Sequence, residues 1–146
     1  MTSIVEQRTE SSAAREWTGS RLTMLWLATA LAVMLHNAEE WWFGLTTWMA
    51  ERPWLPGHAV HGDARTFDVV LAIVTCAVLA LALTAIVLRP RWSAGVLIWV
   101  SWGLVINGLG HLVLAAIALS PMPGVVSGVG LLVPLGLVSL RQLKGE

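Results

Sequence analysis

The chain has 146 residues, of which 56% are hydrophobic and 12% charged, with nine basic and nine acidic side chains that cancel to a formal net charge of zero. Nine Trp and no Tyr complete the profile of a polytopic membrane protein too short for a second domain. The absence of a basic block excludes an electrostatic footprint for nucleic acid, and the lone Cys76 excludes both an intrachain disulfide and a thiolate zinc site.

Residues 1–20 mix Glu6, Glu10 and Glu16 with Arg8 and Arg15 and read as a disordered cytoplasmic tail. The apolar run behind them is longer than the core of a cleaved signal peptide, so it reads as a retained first span. Four runs are long enough to cross a hydrocarbon core, which requires roughly 20 apolar residues. They fall at about 22–45, 66–88, 92–119 and 122–141, inside a membrane domain 21–141 that is followed by a short tail, 142–146. The Thr46 to Arg65 connection, with Pro53, Pro56, Gly57 and Gly62, is the only sizeable loop. The other turns, Arg89-Pro90-Arg91 and Ser120-Pro121, are tight and make neighbours antiparallel. The fold class is therefore all-α, a four-helix up-down transmembrane bundle. Arg8, Arg15, Arg21, Arg89, Arg91, Arg141 and Lys144 gather on one side against Arg52 and Arg65 on the other. That bias predicts an inner-membrane protein with both termini in the cytoplasm.

The first span carries His36-Asn37-Ala38-Glu39-Glu40 near its far end. His36, Glu39 and Glu40 are spaced i, i+3 and i+4, on one helix face. At 1.5 Å per residue above the arginines, His36 stands at about 22 Å and the two carboxylates at about 27–29 Å. On the second span Asp68 stands at about 31 Å, and on the third Asn107 and His111 at about 24 and 30 Å. On the fourth, Ser127 stands at about 21 Å and Pro123-Gly124 at about 25–27 Å. Polar groups from four helices thus converge on one layer, as they do where bundles build cofactor or substrate sites. The series Asp68, Ala72, Cys76, Ala80, Thr84 and the series Gly103, Asn107, His111 read as close-packing seams that turn these groups inward. The fourth span, with Gly124, Gly128, Gly130, Pro134 and Gly136, is expected to bend or to line an opening.

His36 to Glu40 resembles the motif that names the HXXEE family of bacterial integral membrane proteins. Asn107 to His111 is similar to that family's N-x-x-x-H motif, and Pro123-Gly124 with Ser127 to its Y-x-P-G-x-x-T motif. The three occur in the family's order and cover nearly the whole membrane domain. Pro121 stands where the family has Tyr and Ser127 where it has Thr, so no role of that Tyr carries over. The resemblance implies a fold and a residue set and leaves the reaction open.

A divalent metal, zinc or iron, suits these residue types. His36, Glu40 and His111 would be its ligands, with Glu39 as base or second ligand and Asn107 orienting water. A cation would also offset the roughly 2.5–3.5 kcal/mol that an ionised carboxylate costs at membrane depth. Plainer readings stand beside this one. Glu39 and Glu40 reach water at an interface belted by Trp41, Trp42 and Trp48; Asn107 and His111 glue helices together. His58 and His61 read first as solvated loop histidines or lid residues and Asp68 as a helix-start carboxylate, and all three, with Ser127, stand as possible additions to the site. Absence of G-x-S-x-G, H-E-x-x-H and phosphate-binding glycine loops disfavours the familiar hydrolytic engines.

The leading expectation is a membrane-embedded, metal-dependent hydrolase or oxidoreductase whose partners are membrane lipids and a lipid-soluble substrate, with homo-oligomers allowed. Two alternatives remain open. One is a metal-free isomerase or cyclase in which the Glu pair protonates an alkene, His36 relays protons and Trp41 or Trp42 faces the carbocation. The other is a small transporter or accessory subunit, disfavoured because only Thr29 and Thr23 lie below His36 on its helix.

Overall fold

The computed structural model describes residues 3–144, with side chains from Gly19 to Leu143. Among them the chain is all helical: α1 (Ser3–Trp42), α2 (Leu45–Ala50), α3 (His58–His61), α4 (Ala64–Leu88), α5 (Ser93–Ala118), α6 (Val125–Ser127), a π turn (Gly128–Leu132) and α7 (Val133–Lys144). Four stretches are long and apolar enough to cross a membrane, Gly19–Trp42, Ala64–Leu88, Ser93–Ala118 and Val125–Leu143. They lie within a few residues of the four expected spans. The N-terminal segment departs from expectation, because α1 begins at Ser3 rather than after a disordered tail. No Pro or Gly occurs between Ser3 and Thr18, and Ala13, Ala14 and the glutamates are strong helix formers. Arg8, Arg15 and Lys144, which carry part of the orientation argument, lie outside the residues whose side chains are described.

One stripe of α1 is buried between Leu25 and Glu40: Leu25, Trp26, Thr29, Ala30, Ala32, Val33, His36, Asn37 and Glu40. Its opposite face, Met24, Leu27, Leu31, Met34 and Leu35, is exposed, as befits lipid contact. Apolar and polar residues share a single 3.6-residue periodicity, so packing of the lower half of α1 fixes where His36 and Glu40 point. At the Arg89–Arg91 turn, Leu25, Trp26, Ala30, Ala82, Ala85 and Leu97 form one apolar cluster. At the other end α2 buries Leu45 and Met49 against Leu55, Phe67 and Met122. The expected long loop thus contains two short helices that close this end of the molecule. The left-handed conformations of Gly44 and Gly57 set their starts.

The seam expected on α4 is not the buried one. Asp68, Ala72, Cys76 and Ala80 are exposed, and Phe67, Ala82 and Ala85 are the buried residues, with Leu71, Thr75 and Val78 half-buried between them. Steps of four residues advance about 400°, so a strict i, i+4 series drifts about 40° per step and cannot stay on one face over 16 residues. The true stripe alternates threes and fours. The fourth span leaves regular α geometry where its composition suggests, in the π turn Gly128–Leu132. In the π turn the Val133 N–H donates to Gly128 O, five residues back, directly before Pro134, whose ring would clash with the carbonyl four residues behind it in a regular helix. The widened turn presses the Gly128 carbonyl against α5 at Gly108, where a Cβ would collide with it.

Candidate functional site

Three side chains from two helices meet at the level where the π turn begins. Glu40 Oε1 lies 3.3 Å from His36 Nε2 and 2.9 Å from His111 Nε2. The two imidazoles stand edge to face with ring centres 4.8 Å apart. All three residues are buried, and their potential ligand atoms lie within 4.8 Å of one another; among the described residues no other such group of His, Cys, Asp or Glu occurs.

Each imidazole is held by its second nitrogen. His111 Nδ1 lies 3.0 Å from Pro123 O. A carbonyl only accepts, so Nδ1 carries the proton and donates. His36 Nδ1 meets Ser127 Oγ at 2.8 Å, and Asn107 Nδ2 donates to His36 Nε2 at 2.9 Å. His36 is thereby also protonated on Nδ1, with its Nε2 lone pair turned toward Glu40 and Asn107. The His111 Nε2 lone pair and the Glu40 oxygen therefore face each other, acceptor to acceptor, at 2.9 Å, with the His36 lone pair, which takes the Asn107 hydrogen, beside them. Such an arrangement calls for a cation or a proton at its centre.

The fourth span supplies the rest of the frame through its backbone. Gly124 has φ of 88°, in the left-handed region, and a Cβ on it would lie 2.6 Å from His111 Cε1 and 2.9 Å from Glu40 Cγ. Both its conformation and its closeness to the site demand glycine. Glu39 is placed differently from its neighbour. Its Oε1 accepts from the N–H groups of Gly124 (3.1 Å) and Val126 (3.3 Å), and its Oε2 from that of Ser127 (2.8 Å). These are the first amides of a helix that has no side-chain cap of its own, and a carboxylate there is favoured by both their hydrogen bonds and the helix dipole. The carboxylate expected as base or second ligand, Glu39, thus accepts from three amides, and its link to His36 runs through Ser127.

Beside the trio lies a cavity of about 360 Å3, bounded by α1, α4, α5 and the π turn. Its walls are mostly Val and Leu, and its polar lining is His36, Asn37, Glu40, His61 and Asn107. The depth argument thus unites His36, Glu40, His111, Asn107 and Ser127, while His61 joins the cavity but not the trio. Asp68 faces outward, and His58 packs against Gly62 in the short α3. Trp41 and Trp42 are exposed and line no part of the cavity. Sequence reasoning missed Asn37, whose Nδ2 donates to Thr75 Oγ1 at 2.6 Å and ties α1 to α4, although its place three residues before Glu40 was a usable signal. It also missed the Pro123 carbonyl, a backbone group that no side-chain pattern announces.

The fold and this buried His/Glu cluster define a helical membrane protein with a polar site set among its spans. A family described as "Protein of unknown function with HXXEE motif" matches residues 26–139, and the chain belongs to it. No curated protein and no solved structure matches the chain.

Proposed function

We propose that the protein is a membrane-embedded, metal-dependent enzyme, a hydrolase or oxidoreductase acting on a lipid-soluble substrate. The observation that carries the reading is the convergence of His36 Nε2, Glu40 Oε1 and His111 Nε2 with both tautomers held from behind. Two neutral imidazoles and a carboxylate form a donor set for zinc or ferrous iron, with positions left for water or substrate. The 3.3 Å between His36 Nε2 and Glu40 Oε1 suits two ligands on one small ion whose bonds are about 2.0–2.2 Å long. Asn107, on the cavity side, orients the water or the substrate, and Glu39 acts as a positioning residue that fixes Ser127 and through it His36. Elemental analysis of the purified protein beside its His36→Ala variant tests the reading. Stoichiometric zinc or iron in the first and its loss from the second is expected; a metal-free wild type refutes it.

One distance favours a second reading. The 2.9 Å between His111 Nε2 and Glu40 Oε1 is that of a charge-assisted hydrogen bond, so a proton shared there supports metal-free acid–base chemistry by the same pair. The same elemental analysis separates the two. The orientation belongs to the proposal as well: both termini cytoplasmic, and α2 and α3 on the opposite face of the inner membrane. Reporter fusions after Leu143 and within Glu51 to Gly62 should report opposite sides.

A further inference from the structure

The cavity has a direction. α4 packs along α1, and α5 along α7 and the π turn, which leaves a cleft between α4 and α5 with α1 as its back wall. Measured along the helices from the arginine turn, its lining runs from about 13 Å at Val100 to about 33 Å at Phe67. The lower part is Val33, Val78, Val100 and Leu104 with the open backbone of Gly103. The polar groups, His36, Asn107, Glu40 and His61, are confined to the upper part. Val70, Val74, Gly103 and Asn107 are exposed along the lips, so the cleft faces the lipid phase sideways.

We propose that this cleft binds a single-chain amphiphile, such as a long-chain alcohol, acid or prenyl compound, taken laterally from the leaflet nearest α2 and α3. Its polar end stands at Asn107, Glu40 and His61 and its tail descends past Gly103 toward Val100. This deepens the lipid-soluble-substrate reading of the same site and rests on it. Polarity that changes from top to bottom over about 20 Å matches a molecule already oriented by the bilayer, its head at the interface and its tail toward the middle. A volume of about 360 Å3 stands near the small end of the roughly 300–1,000 Å3 usual for ligand sites and admits one chain rather than two. His61 is suited to meet the polar end. Its Nδ1 donates to Gly57 O at 3.0 Å, which leaves Nε2 as the ring nitrogen available to a ligand.

Gly103 makes the test clean, because a Cβ built there meets nothing within 4 Å. Gly103→Leu fills the cleft without touching the His/Glu cluster or its metal. The full chain in nanodiscs is irradiated with a long-chain fatty alcohol bearing a diazirine on its tail, and in parallel with a diacyl phosphatidylcholine bearing the same group. The alcohol should label Val74, Val78 and Val100, and the phospholipid only outward residues such as Leu83 and Trp99. Gly103→Leu should cut the cleft labelling by at least about tenfold, equivalent to about 1.4 kcal/mol of binding, with metal content unchanged. The same labelling by both probes, or labelling indifferent to Gly103→Leu, overturns the proposal whatever the metal content. Cleft labelling in a protein without metal upholds it and removes only the metal reading.

Discussion

The two ends of the helical assembly are held by different forces. At the arginine end, Leu25, Trp26, Ala30, Ala82, Ala85 and Leu97 form one apolar cluster, beside which Trp26 Nε1 donates to Ser93 Oγ at 3.0 Å. Toward the α2–α3 end the cavity opens, and below the apolar cluster of α2 the spans are joined by cross-helix polar bonds: His36 to Ser127, Asn107 to His36, His111 to Pro123, Asn37 to Thr75 and Glu39 to three amides. Packing tolerates small shifts in distance. Hydrogen bonds to imidazole nitrogens do not, and they hold each ring against rotation. The contrast teaches that the arginine end builds the scaffold and the other end trades apolar contact for fixed geometry beside open space.

Adjacent carboxylates at the polar end give the largest test of that contrast. Glu40→Gln is expected to abolish metal retention, because its oxygen is the one shared by both histidines. Glu39→Gln is expected to leave metal bound while hydrogen exchange of the Gly124, Val126 and Ser127 amides rises, with the arginine end unaffected in both variants. Equal metal in the two proteins, read by elemental analysis, would erase the division of labour. Gly108→Ala probes the seam between α5 and the π turn, where the added methyl meets a backbone carbonyl that cannot swing aside. A loss of about 1–3 kcal/mol is expected in a reversible unfolding assay, as for other overpacked interiors. Ser127→Ala removes the partner of His36 Nδ1 and no ligand; metal affinity should fall roughly 10–100-fold in a chelator competition.

The smallest effect is expected at Asp63, outside the spans. Its Oδ2 accepts from the Thr66 N–H at 2.7 Å and caps the start of α4. Hydrogen bonds from the Thr66 side chain and amide hold its carboxyl below the ordinary 3.8. A carboxyl with a depressed folded value stabilises the fold above its unfolded value, and that stabilisation is lost as pH falls through the folded value. Asp63→Ala should therefore lower the melting temperature slightly at neutral pH, and the difference from wild type should fade below about pH 4.

What the sequence made legible follows from where side chains alone decide the geometry. The α1 stripe could be read because its apolar and polar members obey one period, and the helical rise sufficed to bring His36, Asn107, His111 and Ser127 to one level. The buried face of α4 could not be read from spacing of four, because nearly every residue of that helix is apolar and only the drift of the series argues against it. That Glu39 and Glu40 share the face of His36 was legible from their i, i+3, i+4 spacing. What Glu39 grips was not, because backbone amides carry no residue code. Gly128, Gly130 and Pro134 announced a bend, but the widened turn depends on the approach of Gly108 from another helix.

The attachment of Glu39 to the opening amides of the last span also bears on biosynthesis. The last span has no side-chain cap of its own there, and the carboxylate that meets those amides sits on the first span, 85 to 88 positions earlier in the chain. As the chain leaves the ribosome, the Gly124 end of the final span stays without this carboxylate until it docks on α1. Free backbone amides are costly in hydrocarbon, so that docking is driven at the moment the last segment reaches the bilayer. Maturation of the site and completion of the membrane domain are then one event. A chain truncated before Pro123 would leave Glu39 without its amides and His36 and His111 without their rear supports.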